Sequence, residues 1–347
     1  MATSLPVRFR GTSVLLLAVA LTAIGVRTYL QSAPTRLPDT GASLPTIVYI
    51  EPKSGVQEIA QTLWEVGVIR SRWAFLTMTY LRGSTTRLQA GEYEFTPVMS
   101  LREVLGKLEA GRVVTHQVTI PEGFTARDIA QLLAGERLVD GNRFMVLVAD
   151  ARFVEKLGVP GATLEGYLFP DTYYLTRGMG EEEILEKMVE RFRNVAPKDL
   201  DAQARRLGLD AHSVVTLASL IEKEAQLDSE RPLVAAVFYN RLRRKMPLQS
   251  DPTAVYGVPG PRRRITTLDL KRKTPYNTYL KVGLPPGPIA NPSVASLQAA
   301  LNPARVNYFY FVAKNDGSHF FSRTLEQHAQ AVRKYQARSD GSGGSGS

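Results

Sequence analysis

The chain has 347 residues, of which 44% are hydrophobic and 22% are charged, a composition that is typical of a folded protein and excludes general disorder. It has no cysteine, which excludes disulfides, thiolate nucleophiles and cysteine-bound metals. Its four histidines lie in no metal-ligand spacing, so we expect no metal and no other cofactor. The formal net charge of +10 suits an anionic partner such as lipid, nucleic acid or an acidic cell-wall polymer.

The first 30 residues predict a membrane anchor. Arg8 and Arg10 precede an apolar run at 14–26, and arginines on this side place the N-terminus in the cytoplasm and the rest of the chain outside. The run is shorter than the ~18 residues of a confident membrane helix, and a cleavable signal peptide has a similar core. No clear cleavage site follows the run, so we favour the anchor and keep signal cleavage as the alternative.

Two segments are predicted to lie outside the folded domains. Residues 31–45 are rich in Ser, Pro, Thr and Gly, which is the composition of an exposed tether. Residues 339–347 end in GSGGSGS, which resembles an artificial linker and is excluded from the fold prediction.

Residues 46–135 predict a small domain of strands and short helices. A strand-like stretch, a proline, a capping box and an apolar-periodic helix recur three times, and the caps explain the residue types without any function. The three predicted boxes are Ser54 with Gln57, Ser100 with Glu103, and Thr125 with Asp128.

Residues 136–338 predict a second, mainly helical domain. The stretches EEEILEKMVERFRNV and HSVVTLASLIEKEAQ carry apolar residues at helical spacing, and long loops rich in Pro and Gly occupy 246–292. Such loops on a helical frame are where binding and catalytic groups usually lie. The expected fold class is therefore α+β, with an anchor, a small α/β domain and a helical domain.

The helix predicted from its N-cap Ser213 to Gln226 carries the strongest chemical signal. At 100° per residue, a polar face of Thr216, Ser219 and Lys223 is expected to meet solvent, while Glu222 and Glu224 fall within the apolar arc. A carboxyl group held against apolar neighbours has a raised pKa, as a general acid near neutral pH requires.

Periodicity leaves two questions about these carboxylates open. Each could instead pair with an arginine, for which Arg231 and Arg241 are the nearby candidates. The helical wheel also does not distinguish which of Glu222 and Glu224 is the acid.

Several long motifs resemble one known family. In chain order they are LEGYLFPDTYY at 164–174, ASLIEKEA at 218–225, ERPLVAAVFYNRL at 230–242, LQSDPTAVYG at 248–257, TPYNTYLKVGLPPGPIANP at 274–292 and NYFYFVA near 310. With the anchor, the chain up to about residue 337 resembles the MltG (YceG-like) endolytic murein transglycosylases.

The resemblance implies a function and assigns roles to the acids. It implies an endolytic peptidoglycan lytic transglycosylase with a LysM-like first domain, in which Glu224 is the single general acid and base and the products carry 1,6-anhydro ends. Glu222 and Asn240 are then expected to support the site rather than to react. The partners implied are peptidoglycan strands and the cytoplasmic membrane, with glycan-synthesising enzymes suggested by location alone.

The motif loops supply the expected substrate-binding residues. Amides and hydroxyls suit N-acetyl and sugar hydroxyl groups, and tyrosine rings stack on sugar faces. The predicted set is Gln249, Ser250, Asp251, Thr253, Tyr276, Asn277, Thr278 and Tyr279. The same residues are also common turn formers, so shaping the loops is an equal alternative. Residues 283–292, stiffened by four prolines, are expected to wall the cleft.

Two rival functions follow from the same sequence. One is a non-catalytic wall-binding scaffold that grips glycan and recruits synthesis enzymes. The other is nucleic-acid binding through the positive charge. We reject it because the basic clusters at 262–264 and 271–273 match no recognised nucleic-acid module and the anchor places them outside the cytoplasm.

Overall fold

The computed structural model describes residues 25, 45–97, 99–258 and 265–336. Apart from residues 25 and 45, the predicted anchor, tether and tail lie outside these described residues. Among the described residues, no helix is both long enough and apolar enough to cross a membrane.

The chain forms two compact units, and the mixed α+β class is confirmed. The first unit contains the described residues up to His116 together with Tyr174–Met179. The second contains Gln117–Tyr173 and the described residues from Gly180 onward. The predicted domain boundary at 135 lies later in the chain than this division, because the third predicted strand and helix pack within the second unit.

The first unit places three helices around a two-stranded antiparallel sheet. Its elements are β1 (Thr46–Ile50), α1 (Val56–Glu65), α2 (Arg72–Leu81), β2 (Gly91–Phe95) and α3 (Leu101–Glu109). The strands pair from Thr46 opposite Phe95 to Ile50 opposite Gly91.

The core of the first unit follows the two periodicities of its sequence. In β1, Val48 and Ile50 are buried while Ile47 is exposed, since alternate strand residues face opposite sides. In α1, Ile59 and Leu63 are buried one turn apart, and Phe75 of α2 joins them in the same core.

The second unit is mainly helical. In chain order it contains β3 (His116–Thr119, which begins with the last residue of the first unit), α4 (Ala126–Gly135), α5 (Gly141–Val148), α6 (Ala151–Lys156), β4 (Thr172–Leu175, whose last residues belong to the first unit), α7 (Glu181–Val195), α8 (Leu200–Arg206), α9 (Ala211–Glu224), α10 (Arg231–Arg243), α11 (Asp251–Val255), α12 (Thr267–Leu270), α13 (Val294–Leu301), β5 (Tyr310–Ala313), β6 (His319–Ser322) and α14 (Leu325–Gln336). The strands β5 and β6 form an antiparallel hairpin, and β3 pairs with β4.

The helix α9 lies in the core of the second unit, against α10 and α13. The prediction that its polar face meets solvent is wrong, because Thr216 and Ser219 are both buried. The Thr216 hydroxyl donates to the His212 carbonyl, and the Ser219 hydroxyl donates to the Thr216 carbonyl, so neither needs water. Lys223 donates to the Gly123 carbonyl at 3.2 Å.

The predicted helix starts are partly confirmed. The capping boxes at Ser100 and Thr125 are present. The first box is wrong by one residue, because α1 follows Gly55, whose amide donates to Glu58. For α9 the cap is Asp210 rather than Ser213, because the Asp210 carboxylate accepts from the Ser213 amide and so begins the helix three residues earlier.

A close backbone approach at Gly166 generates a stability prediction. Gly166 has a φ of +88°, and a Cβ there would lie 2.4 Å from the Pro288 ring. We expect Gly166→Ala to lower the free energy of unfolding by about 2–3 kcal/mol, through backbone strain and overpacking. The control is Gly135→Ala, because a Cβ at Gly135 meets nothing within 4 Å. Scanning calorimetry of both variants checks this, and equal melting temperatures would contradict the role of the close approach.

Candidate active site

Glu224 is the last residue of α9, and its carboxyl group faces the loop that precedes α11. The helix ends here because Ala225 has an extended backbone. The Ser250 hydroxyl donates to Glu224 Oε1 at 2.6 Å. Glu224 is thus held at a helix end by a residue 26 positions along the chain, from one of the predicted loops.

The surroundings of Glu224 favour its neutral form. Burial raises its pKa from 4.5 to about 7 and outweighs the Ser250 hydrogen bond, which lowers the pKa. The charge of Asp251 raises the pKa further, and the charge of Arg241 lowers it. At neutral pH the carboxyl group therefore exists in both protonation states, which suits a group that first donates a proton and then accepts one.

Glu222 has a different environment two residues earlier. Its carboxylate lies 3.1 Å from the Arg231 guanidinium, and both side chains are largely buried. The same carboxylate accepts from the Ser293 amide at 2.9 Å and from the Ser293 hydroxyl at 2.6 Å. Glu222 therefore matches the arginine-pairing alternative and joins α9 to the starts of α10 and α13.

The loop that carries Ser250 is interlocked with the residues around Thr278. The Ser250 amide donates to Thr278 Oγ1 at 3.0 Å, and the Thr278 amide donates to Thr253 Oγ1 at 3.1 Å. The two threonine hydroxyls are 2.8 Å apart, and all three side chains are buried. This network fixes the direction of the Ser250 hydroxyl toward Glu224.

Gln249, immediately before Ser250, has an unusual backbone conformation. Its φ of +49° lies in the left-handed region, which is rare and strained for a residue other than glycine. Arg241 stabilises this turn by donating to the Leu248 carbonyl at 2.8 Å and to Gln249 Oε1 at 3.2 Å.

Apart from Ser250, which is bonded to Glu224, the predicted binding residues divide into two groups. Asn277 is buried and donates to the carbonyls of Leu270 and Arg272, so its amide, like the hydroxyls of Thr253 and Thr278, is used inside the protein. This favours the loop-shaping alternative for the three. Asn240 likewise donates to the carbonyls of residues 306 and 308.

The second group has side chains that a substrate can reach. Gln249 and Asp251 are exposed, and Tyr276 and Tyr279 are half-buried. The Tyr279 hydroxyl donates to the Asp251 carboxylate, which is next in sequence to Ser250. These four residues, with Glu224, offer amide, carboxylate and aromatic groups to a ligand.

A second buried carboxyl group was not selected from the sequence as a site residue. The Glu165 carboxyl group accepts from the backbone amide of Ala126 at 3.0 Å, from the side-chain amide of Asn291 at 3.1 Å and from the Tyr256 hydroxyl at 3.1 Å. Burial raises its pKa to about 7 despite these hydrogen bonds. Tyr256 packs against Tyr276, with ring centroids 4.6 Å apart. Glu165 lies in the motif at 164–174 and Tyr256 in the motif at 248–257, and these motifs were the sequence signal that could have identified both residues.

Most of residues 285–293 are buried against α9 and the segment around Phe124. The Ile289 amide donates to the Ser219 hydroxyl at 3.0 Å, and the Asn291 side chain accepts from the amides of Gly166 and Leu168. Residues 285–293 therefore pack against α9 and hold it in place. Among the described residues, no group of three or more His, Cys, Asp or Glu could hold a metal ion.

Comparisons with known proteins agree on one family. The model of the YceG-like family matches residues 48–334. The endolytic murein transglycosylase of Bacillus subtilis (strain 168) is 35% identical over 304 residues, which cover 83% of this chain and 84% of that protein. The protein of the same name from Streptococcus pneumoniae serotype 2 is 30% identical, with 93% of this chain and 64% of that protein covered. A crystal structure of a yceG-like protein from Listeria monocytogenes, 32% identical, superposes with a TM-score of 0.58 over 84% of this chain and 100% of that chain.

The two glutamates of α9 should differ in their effect on stability. The folded state keeps the Glu224 proton that the unfolded chain releases at a pKa of about 4.5, so wild-type stability is lost as pH rises from about 4.5 to about 7. Glu224→Gln removes this loss and should stabilise the fold by about 1–3 kcal/mol at pH 8, with little effect at pH 4.

Glu222→Gln is the matched variant, and we expect it to change the free energy of unfolding in the opposite direction. It removes the buried carboxylate partner of Arg231 and leaves the exposed Asp228, 2.8 Å from the guanidinium, as the remaining one, so it should destabilise the fold by about 2–3 kcal/mol. Urea unfolding of both variants at pH 4.5, 6 and 8 gives the comparison. Equal losses in the two variants would contradict the assignment.

Proposed function

This chain belongs to the YceG-like family, and from this membership we propose that it is a peptidoglycan lytic transglycosylase that cuts glycan strands internally. The similar proteins named endolytic murein transglycosylase support the reaction class. The observation that carries the mechanism is the carboxyl group of Glu224 at the C-terminal end of α9, which is about half protonated near neutral pH.

The proposed reaction needs one acid. Protonated Glu224 donates its proton to the oxygen of the β-1,4 bond between N-acetylmuramic acid and N-acetylglucosamine, and the bond from C1 of the muramic residue to that oxygen breaks. The resulting carboxylate then accepts the proton of the C6 hydroxyl as O6 of the same sugar bonds to C1. The product is a 1,6-anhydro end, and Glu224 regains its proton.

The reaction proceeds without water because the nucleophile belongs to the substrate. A usual glycoside hydrolase needs a second carboxylate about 5 to 9.5 Å from the first, either to attack the sugar or to activate water. An intramolecular hydroxyl has a high effective concentration, so positioning replaces the second group. Asp251, the acid next in sequence to Ser250, is bonded to Tyr279 and serves in this proposal to orient the loop and substrate.

We assign the positioning of the substrate to the loop residues that a substrate can reach. Gln249 and Asp251 provide groups for the N-acetyl and hydroxyl substituents, and Tyr276 provides a ring for a sugar face. Ser250 holds the carboxyl group of Glu224 in one orientation. Glu222 fixes the helix end and is not expected to touch the substrate.

The location is part of the proposal and rests on the sequence of residues 1–30. The basic leader and apolar run support a single-pass anchor in the cytoplasmic membrane, with both units outside. The first unit is proposed as a LysM-like glycan-binding domain. Glycan-synthesising enzymes at the same membrane are proposed partners, since an anchored enzyme reaches strands near their point of synthesis.

The chemical test is mass spectrometry of fragments released from purified peptidoglycan. We expect the full chain to release fragments with anhydro-muramic ends, and Glu224→Gln to lower that release at least about 1000-fold, because the proton donor is lost. Glu190→Gln, which removes an exposed carboxylate from α7, is the charge-matched control and should keep full activity.

Other outcomes identify other functions. Reducing muramic ends would mean hydrolysis and would direct attention to Asp251 and Glu165. Absence of release by the wild-type and control proteins, with retained binding to peptidoglycan, would support the non-catalytic scaffold instead.

The pH profile tests the acid role of Glu224 separately. Since the protonated form reacts, kcat/KM for anhydro-end formation should fall tenfold per pH unit above about 7. The Ser250 hydrogen bond lowers the pKa of Glu224, so Ser250→Ala should move this falling limb to higher pH. Values of kcat/KM measured from pH 5 to 9 test this shift. A falling limb that moves to lower pH in Ser250→Ala would contradict the role of Glu224.

A further inference from the structure

The helix α2 of the first unit presents a second apolar face to solvent. Trp73 is 77% exposed, Tyr80 61% and Leu81 77%. These residues are spaced i, i+7 and i+8, so they lie on one side of the helix over about 12 Å of its length. We call these three residues the outer α2 face.

The outer α2 face is not required by the core of the unit. The opposite side of α2 already packs inward through Phe75, Met78 and Thr79. Single exposed apolar residues are ordinary, but a Trp, a Tyr and a Leu grouped on one helix side mark a surface that binds something.

The segment of sequence that contains α2 carries charges of one sign. Between Val66 and Gly91 the sequence has four arginines and no acidic residue. Arg70 and Arg72 are exposed just before and at the start of α2, and Arg82 follows its last residue. Glu109 of α3 contacts both Arg82 and Arg87, so one carboxylate is shared between two guanidinium groups and the surface keeps a positive charge.

We propose that the outer α2 face docks on the anionic headgroup surface of a lipid bilayer. Trp and Tyr place an apolar ring at the acyl boundary with a polar tip among the headgroups, and a leucine adds apolar area. Guanidinium groups beside them bind lipid phosphates. The α2 surface combines both features on one helix.

A glycan is the competing occupant, since exposed aromatic rings also stack on sugars. Sugar recognition needs carboxylates or amides beside the rings to bind the hydroxyl groups. The residues from 66 to 88 include no Asp, Glu, Asn or Gln, and the exposed hydroxyls of α2 are those of Thr77 and of Tyr80 itself. The side chain of Gln61 in α1 is already bonded to Arg72 and to Glu65. The chemistry therefore favours lipid over carbohydrate.

The length of chain before the first unit agrees with this occupant, given the anchor of the proposed function. Only the 15 residues at 31–45 separate the predicted anchor from β1. Fifteen residues span at most about 50 Å even when fully extended. The first unit is thereby kept next to the bilayer, where even a weak affinity gives high occupancy.

The test uses the two tryptophans of the full chain reconstituted in vesicles. In the Trp64→Phe variant, Trp73 is the only fluorophore of its kind; in the Trp73→Phe variant, half-buried Trp64 serves as an internal reference. The vesicles carry acyl chains brominated near the headgroup, and both leaflets have the same composition, so the orientation of insertion does not matter.

We expect Trp73 to lose about half of its emission in vesicles with one third phosphatidylglycerol, because an interfacial ring contacts the bromines. Trp64 should lose little. Quenching of Trp73 should weaken in pure phosphatidylcholine and at 0.5 M salt, because each arginine near an anionic surface contributes roughly fivefold to partitioning and salt screens that attraction.

A matched pair of charge insertions tests the face itself. In the Trp64→Phe background, Leu81→Glu should abolish most of the Trp73 quenching, whereas Val146→Glu should not, although Val146 of α5 is similarly exposed at 67%. Circular dichroism of both variants controls for folding.

Three results would overturn the docking proposal. They are equal quenching of Trp73 and Trp64, Trp73 quenching that is independent of lipid charge, and Trp73 emission that responds to soluble glycan fragments but not to brominated lipid. The last result would assign the face to carbohydrate. Release of anhydro ends is measured separately, so quenching without release refutes the proposed function alone, and release without quenching refutes the docking alone.

Discussion

The buried ion pair between Glu222 and Arg231 is the interaction on which the candidate site depends. Glu222 joins the end of α9 to Arg231 at the start of α10 and to Ser293 at the cap of α13, and Arg231 also donates to Ser296 at 2.5 Å. Three helices are thus tied together within two residues of Glu224. Such a pair contributes little net stability compared with an apolar equivalent, but its loss leaves the buried Arg231 with the exposed Asp228 as its carboxylate partner, so the pair specifies one arrangement of the helices.

That arrangement leaves Glu224 with a partner that cannot neutralise it. Ser250 offers a hydroxyl, which orients the carboxyl group without supplying a positive charge. The arginine that acts on Glu224 through its charge, Arg241, directs its N–H groups to backbone carbonyls and to Gln249. The fold therefore accepts a cost in stability at neutral pH in exchange for a carboxyl group that can both give and take a proton.

Local signals in the sequence predicted where helices begin better than they predicted which segments pack against those helices. The boxes at Ser100 and Thr125 were predictable because a cap involves residues only three positions apart. The solvent face assigned to Thr216 and Ser219 was wrong, because a helical wheel records polarity but not the segments that pack on it from far along the chain. Ile289, which donates to Ser219, is 70 residues away.

The choice between the two glutamates shows the same limit. The wheel placed Glu222 and Glu224 alike, and they differ only through Arg231, Ser293 and Ser250, which belong to three other segments. The structure places the predicted binding loop beside Glu224 through Ser250. Its buried members, Thr253 and Thr278, could not be separated from the reachable ones, because a hydroxyl that closes a loop and a hydroxyl that binds a sugar have the same sequence signature.

The distribution of charge separates two kinds of control in this molecule. The net charge of +10 includes exposed arginines beside α2, whose attraction to an anionic surface is screened within about 10 Å at 0.1 M salt. The protonation of Glu224 is set mainly by burial and by the Ser250 hydrogen bond, with smaller effects from the charges of Asp251 and Arg241, and salt affects a buried group far less. Ionic strength should therefore change how tightly the outer α2 face docks on the proposed surface, and pH should change how fast the protein reacts. An enzyme built in this way can loosen that contact without its chemistry being altered.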